Sequence, residues 1–353
     1  ITLKDGGSFI CWLREYVDFI GYFLIFWIVW STGEGKEKWI KVILVSFFLI
    51  GIIKGLQQLI YYSKHLSEAI AENNFQILRE GFYAQFFGFP CSIIAMCFYA
   101  YSKTQREKII FGITTFFFLL ILILSFTRSI WLGFGVSFLI LVIKFKLFRV
   151  KMAKILLVSC ILAGIVLFLG FCLKREVTIY LFEWVDARFF SFFRLKFDLS
   201  FLDRWAEWKA LWKLIWKKPL IGHGIGSSFV FYSVNPWSWV REGGIGWVNI
   251  RFSHNLYLYL LYTMGIFGLI FFAGIIINVL KEARKIWSES EDLFARNQGV
   301  AIYSICIGFL VTSITCPIFM GKINSVYIGL LIGILAVLNR KSILKKSKTL
   351  NRR

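Results

Sequence analysis

Long apolar runs separated by short charged connections dominate the chain. A helix that crosses a bilayer needs about 20 mostly apolar residues. Nine stretches reach or approach that length: 16–31, 39–60, 82–101, 108–125, 128–148, 153–173, 254–280, 299–320 and 323–339. The fourth and fifth are so close that a tight turn must join them, with Arg128 on it. Between the sixth and seventh runs the pattern changes. In SFLDRWAEWKALWKLIWKKP, the residues Phe201, Trp205, Trp208, Trp212 and Ile215 or Trp216 recur every three to four positions, which predicts an amphipathic helix. Ser200 with Asp203 three residues on reads as a capping box, which puts Arg204 in the first turn. Pro219 and the glycines of GHGIG end that helix. The expected fold class is therefore all-α, a polytopic transmembrane helix bundle with about nine spans. Residues 1–173 hold about six spans, 174–253 form a helical segment outside the bilayer, 254–340 hold about three spans, and 341–353 are a basic tail.

Composition agrees. Hydrophobic residues make up 58% of the chain and charged residues only 17%, too apolar for a soluble domain. The net charge of +21 would suit a nucleic-acid binder, but in a membrane protein basic residues hold cytoplasmic loops inside. One alternating set of connections, with the tail, carries 22 Lys and Arg; the short connections of the other set carry 5. The rich set is cytoplasmic, so the C-terminus is inside, and Arg128, the 174–253 segment and His254 fall on the outer side. Nine spans then put the first residue outside as well, as expected of a chain that lacks an odd number of leading spans. The seven cysteines form no CxxC pair and sit in apolar runs, so they read as small buried hydrophobes. Three scattered histidines without a nearby acidic cluster argue against a zinc site.

Three residues are the candidates for chemistry. His254 lies in Ser253-His254-Asn255, at the mouth of an apolar run, where ionisable groups are functional candidates by default. Arg128 and Arg204 fall on the same side. Each has a plainer reading. Arg128 could snorkel to the headgroups, Arg204 could pair with Asp203 or Glu207, and His254 could simply enter a helix. His223, in the Gly-rich turn, and His65 read as structural, and Lys54, inside a span, is assigned no role. The segment 174–253 holds 8 of the 14 tryptophans. Trp on one helix face with Lys209, Lys213, Lys217 and Lys218 on another suits the headgroup layer and contact with membrane lipids.

Three ordered segments resemble the O-antigen ligase family, which includes Wzy-type O-antigen polymerases. ILREGFYAQFFGFP followed by SFTRSIWLGFG is similar to its "T-R-S/G-x-W" segment. DRWAEWKALWKLIWKKPLIGHGIGS is similar to "R-x-x-x-W … P-L-x-G-x-G", and SHNLYLYLLYTMGIFGLIFF to "H-N-x-x-L … G-x-x-G-L". Where some relatives carry histidine, this chain has Gln85. The resemblance covers about residues 75–340 and implies a bundle like the membrane-embedded (GT-C-like) glycosyltransferases, in a family with about twelve spans. It implies transfer of a glycan from undecaprenyl pyrophosphate to a hydroxyl of lipid A–core at the periplasmic face of the bacterial inner membrane. Arg128 and Arg204 would bind the pyrophosphate and His254 would serve the acceptor as general base. The reaction would invert the anomeric centre and need no metal or cofactor, since guanidinium groups supply the positive charge. The alternatives are a Wzy-type polymerase, with a lipid-linked repeat as acceptor, and more remotely an anion transporter. No nucleic acid is expected as partner.

Overall fold

The structure is a computed structural model that describes residues 20–31, 37–72, 76–79, 85–144, 175–235, 245–316 and 328–340, apart from 22, 192 and 194–197. The span predicted at 153–173, parts of several others and the basic tail lie outside the described residues. The described chain is mostly helical: α1 (23–31), α2 (Glu37–Ala71), α3 (Gln76–Arg79), α4 (Gln85–Tyr101), α5 (Gln105–Ile123), α6 (Arg128–Lys144), α7 (Arg175–Phe190), α8 (Leu199–Ile215), β1 (Phe229–Ser233), β2 (Gly246–Ile250), α9 (Leu256–Glu289), α10 (Leu293–Thr312) and α11 (Ile328–Arg340). Among these, Lys38–Ala71, α9 and α10 are long and apolar enough to cross a membrane; Phe87–Tyr101 and α11 are apolar but shorter. On α2, Val45, Leu49, Ile53, Leu56 and Ile60 are exposed at intervals of three or four residues, a stripe for lipid rather than for water.

The chain divides into two compact units. One comprises Thr32–Phe190, Glu282–Gly308 and Val337–Arg353. Its core is filled by Phe89, Ile93, Ile94 and Met96 of α4 and Phe118 and Ile121 of α5. Cys91, Cys97 and Cys306 are buried free thiols, as the apolar context predicts. Gly308 of α10 lies so close to α6 that an added Cβ would meet Ser137 Oγ at 2.1 Å and Gly133 O at 2.5 Å. The Ser137 hydroxyl donates to the Ser304 carbonyl at 2.7 Å. Small residues and a side-chain hydroxyl thus let two apolar helices touch, as in membrane bundles. Trp184 of α7 packs with Tyr62, Ala69, Leu78 and Phe126 in a second cluster.

The other unit comprises Ile1–Ser31, Ser191–Lys281 and Phe309–Ala336. It adds a short β-hairpin to an otherwise helical architecture. FVFYS and GWVNI form an antiparallel pair, with Phe229 opposite Ile250 and Phe231 opposite Val248. Both strands bury every second residue, the alternation expected of a half-buried sheet. Phe229, Phe231, Val248 and Ile250 close over Leu211 and Ile215 of α8 and Tyr262 of α9. The buried face of α8 is therefore Asp203, Glu207, Leu211 and Ile215, while Trp205, Trp212 and Trp216 point outward. The cap also differs from expectation. Asp198, not Ser200, accepts the Phe201 N–H, so α8 starts earlier and Arg204 sits in the second turn. An Asp one residue before Leu199 leaves Ser200 inside the helix, where it cannot cap.

The loop after α8 is stitched to α9 by backbone bonds. His223 N donates to Tyr262 O at 2.7 Å, Gly224 N to Thr263 O at 2.8 Å and Ile266 N to Pro219 O at 2.9 Å. This approach breaks α9 at Gly265, whose φ is +66°. Three glycines of α9, Gly265, Gly268 and Gly274, are small enough to let a neighbouring helix approach closely. Only Gly265 meets other backbone: a Cβ there would lie 2.2 Å from Leu220 O. Gly268 crowds only Met264 of its own helix, and nothing lies within 4 Å of a Cβ at Gly274. Gly265→Ala combines a left-handed backbone with a clash against peptide atoms and should cost roughly 3 kcal/mol or more. Gly274→Ala should be neutral. Thermal unfolding of the detergent-purified variants, followed by tryptophan fluorescence, checks the contrast; equal melting temperatures would contradict it.

Candidate functional site

Glu207 places a carboxylate on the inward face of α8, where it is 1% exposed. Burying an ionised carboxylate is costly unless hydrogen bonds replace its water. Three donors do so, and all come from the residues just before α9. The Ser253 hydroxyl and the His254 backbone N–H both donate to Glu207 Oε1, at 2.5 and 2.8 Å. His254 Nδ1 donates to Oε2 at 2.6 Å. The next residue uses the same cluster: Asn255 N donates to Ser253 Oγ at 3.0 Å, and Asn255 Oδ1 accepts from Leu258 N at 3.0 Å. That last bond caps the N-terminus of α9. Leu256 N donates to Ser313 O and the Tyr257 hydroxyl to Leu310 O, which ties the start of α9 to the end of α10. Each residue of Ser-His-Asn therefore has a distinct job: one holds the carboxylate, one faces it, one starts the helix.

His254 lies two residues ahead of Leu256, not in the first turn of the helix as the sequence suggested. Its tautomer is set by Glu207. A carboxylate only accepts, so the neutral ring carries its proton on Nδ1 and its lone pair on Nε2. The imidazole is 19% exposed and packs edge-on to Phe252 at 5.6 Å between ring centres. A ring fixed in this tautomer can take a proton at Nε2 while the buried carboxylate stabilises the cation that forms. This is the acid–histidine half of a hydrolase triad, arrived at with a Glu.

Arg204 is half-buried and lies three residues before Glu207, about one turn up the same helix. Glu207 itself was missed as a functional group; it figured only as a possible ion-pair partner for Arg204. The available signal was the spacing of Asp203 and Glu207. Two acids at i and i+4 on the apolar side of a helix are rarely there without partners. Asp203 has its own, accepting from Val234 N at 3.1 Å just beyond β1.

Arg128 belongs to the other compact unit, as the first residue of α6. The tight turn predicted before it is present, between α5 and α6. Phe126 takes φ 46° and is buried. The Thr127 hydroxyl donates to Ser125 O at 2.9 Å, and the Trp131 indole N–H donates to Leu122 O at 2.7 Å. The Tyr62 hydroxyl donates to Leu124 O at 2.5 Å. Thr, Trp and Tyr thus satisfy the carbonyls that α5 leaves open at its end. Arg128 is held, half-buried, where the first N–H groups of α6 begin. The place expected from sequence for Arg204, in the first turn of a helix, is taken by Arg128 instead. A cation there opposes the dipole by a few tenths of a kcal/mol, and an anion would reverse the sign.

The other candidates are structural. His223 Nε2 bonds Leu214 O at 2.9 Å and its ring stacks on Tyr262. His65 pairs with Glu68 one turn on, and the Lys54 ammonium donates to Gln57 Oε1 at 3.1 Å.

With this geometry in place, comparison with known proteins is informative. Residues 113–273 match the family model for O-antigen ligases. The matched stretch runs from within α5 into α9 and contains Arg128, Arg204, Glu207 and His254. No curated protein matches the chain. Over that stretch, the chain is similar to the O-antigen ligase family.

Proposed function

We propose that this protein transfers an O-antigen glycan from undecaprenyl pyrophosphate to a hydroxyl of lipid A–core, at the periplasmic face of the inner membrane. The observation that carries the reading is the buried Glu207–His254 pair. The match to the O-antigen ligase family model supports the reaction class, a glycan transfer in O-antigen processing. The charge asymmetry of the connections supports a cytoplasmic C-terminus and an external site. The nine-span bundle, its likeness to membrane-embedded glycosyltransferases and the outer placement of 174–253 are part of the same proposal.

The chemistry follows from the groups present. His254 Nε2 accepts the proton of the acceptor hydroxyl as that oxygen attacks the anomeric carbon. The bond from that carbon to the pyrophosphate oxygen breaks on the opposite face, so the configuration inverts. Undecaprenyl pyrophosphate leaves with the electron pair, and the proton on His254 passes to solvent or to the departing phosphate. Arg128 and Arg204 bind the pyrophosphate and stabilise the charge that grows on the leaving oxygen, a contribution of several kcal/mol where water is excluded. Guanidinium groups do this work without a metal. The outward Trp205, Trp212 and Trp216 lie in the headgroup layer and hold the lipid-facing side of α8 there.

Two predictions separate the roles. Glu207→Gln leaves a neutral amide in place of the carboxylate, so the tautomer and the stabilisation of the imidazolium are both lost. The expected result is a fall in kcat of roughly 10²–10⁴-fold with little change in donor KM. His254→Ala should lose about as much, and the double variant no more than either, since the two act as one unit. Melting temperatures recorded alongside separate loss of fold from loss of chemistry, and a kcat within threefold of wild type in folded Glu207→Gln would discard the dyad.

For the arginines, Arg128→Ala and Arg204→Ala should each reduce glycan transfer in membranes by about 10²-fold or more. Activity of the unaltered protein should persist in EDTA. Full activity in both arginine variants removes the pyrophosphate assignment, while loss in EDTA removes only the metal-free part. Product analysis identifies the acceptor: one glycan on lipid A–core for a ligase, lengthened chains on undecaprenyl pyrophosphate for a polymerase.

A further inference from the structure

A second feature of the unit that holds Glu207 and His254 is a groove of about 790 Å³ between α8 and the β-hairpin. One wall is Lys209 and Lys213 of α8 and Lys217 in the turn just past its end, spaced i, i+4 and i+8, so that successive lysines leave the backbone about 6 Å apart along the helix axis. The other wall carries Tyr232 and Trp247, whose rings meet edge-to-face at 5.5 Å between centres. Trp247 is 70% exposed. Among the described residues, no Asp or Glu lines the groove. Among the described residues, none of the three lysines is in an ion pair. Lys209 sits over the Trp205 ring at 5.5 Å.

Like charges at i and i+4 destabilise a helix, and an interleaved acid would remove the cost. The chain keeps three lysines in a row with no acid among them. The groove is within the size range of small-molecule sites. Its chemistry is selective: a line of ammonium groups takes an extended polyanion better than one compact anion, and exposed aromatic faces suit the apolar face of a sugar ring. The lysines are not simply part of the lipid-facing surface. Lys213 and Lys217 leave α8 about 100° round from Trp212 and Trp216, on the side that the hairpin walls in.

We propose that this groove binds the acceptor, and that the acceptor is a saccharide carrying two or more phosphate or carboxylate groups. The acceptor role rests on the transfer reaction proposed above; the binding chemistry does not. Glu207 and the groove share one helix: Ala206 and Ala210, on either side of Glu207, line the groove. A glycan held along the lysine row therefore lies on the shoulder of α8 next to the face that carries the Glu207–His254 pair.

The test is direct binding to the full chain in phosphatidylcholine nanodiscs, by calorimetry, with glucose 1,6-bisphosphate as probe. Wild type should bind with an affinity that falls as salt rises. The triple variant Lys209→Gln, Lys213→Gln, Lys217→Gln should bind at least about tenfold more weakly, with an unchanged melting temperature. Trp247→Ala should weaken bisphosphate binding but not binding of inorganic pyrophosphate. In the transfer assay the triple variant should raise acceptor KM and leave donor KM alone. Equal affinity of wild type and triple variant for the bisphosphate would overturn the proposal. So would insensitivity of the sugar probe to Trp247→Ala, which would leave a bare phosphate patch. A triple variant that loses binding to phosphatidylglycerol vesicles while keeping the bisphosphate would show a lipid-headgroup surface instead, and overturn it too. Binding of the bisphosphate to His254→Ala should be normal. Failure of the dyad in transfer with intact bisphosphate binding would thus count against the proposed reaction and not against the groove.

Discussion

One buried carboxylate organises the end of α8 and the entry to α9. Glu207 has given up its water and is repaid by a hydroxyl, a backbone N–H and an imidazole N–H, all from two consecutive residues, Ser253 and His254. An unpaired buried charge costs several kcal/mol, so the chain before α9 has one low-energy placement relative to α8. The imidazole cannot rotate without breaking its bond to Oε2. The serine cannot leave without exposing Oε1 and releasing Asn255 N. Asn255 then caps α9, so the residue pair that satisfies the carboxylate also fixes where the apolar helix begins. The bonds that orient His254 and the bonds that register the helix are one set.

The second constraint is backbone against backbone. Pro219 to Gly224 lies along Tyr262 to Ile266, and three N–H···O bonds hold the two segments. No side chain fits at Gly265, and the left-handed φ there interrupts α9. Leu256 to Met264 is thereby turned to the hairpin core through Leu258, Leu261 and Tyr262. Beyond the break, Phe267, Ile270, Phe271, Ile275 and Ile277 are exposed apolar positions suited to lipid. One helix thus serves two surroundings, and the break falls between them. The glycines of GHGIG and the glycine after Thr263-Met264 are two sides of one contact.

How much of this could be read from sequence depends on the range of the interaction. Apolar runs gave the helices because lipid-facing stripes are long and local, and the α5–α6 turn followed from spacing alone. The hairpin was missed because only its burial alternates: the exposed positions include the apolar Val230, Tyr232 and Trp247, so FVFYS and GWVNI show no clean period of two. Two strands of five residues, separated by the stretch 234–245, look weak beside a tryptophan-rich helix. The Trp stripe was itself misleading as a guide to burial: the face packed on the hairpin carries Asp203 and Glu207. His254, Arg204 and Arg128 could be singled out because each is an ionisable group at the edge of an apolar run. Glu207 could not, because its partners are 46 and 47 residues away. A buried acid looks like a surface acid until the fold supplies the donors.

The basic groups divide by chemistry rather than by number. Arg128 is held at a helix start by a turn that Tyr62, Thr127 and Trp131 brace, and Arg204 stands one turn from the carboxylate that orients His254. Guanidinium forks in fixed frames suit a compact dianion whose oxygens must be met at defined angles. The lysines of α8 are flexible, strongly hydrated point charges along an open groove, which suits anions spread along a sugar chain. A site that had to bind both a pyrophosphate and a charged glycan would need these two solutions kept apart, or each ligand would compete for the other's cations. On α8 they are kept apart: Arg204 precedes Glu207 near the start of the helix, and the lysine row follows it toward the C-terminal end and the turn beyond. There the helix dipole favours cations, so the row is tolerated even before a ligand arrives.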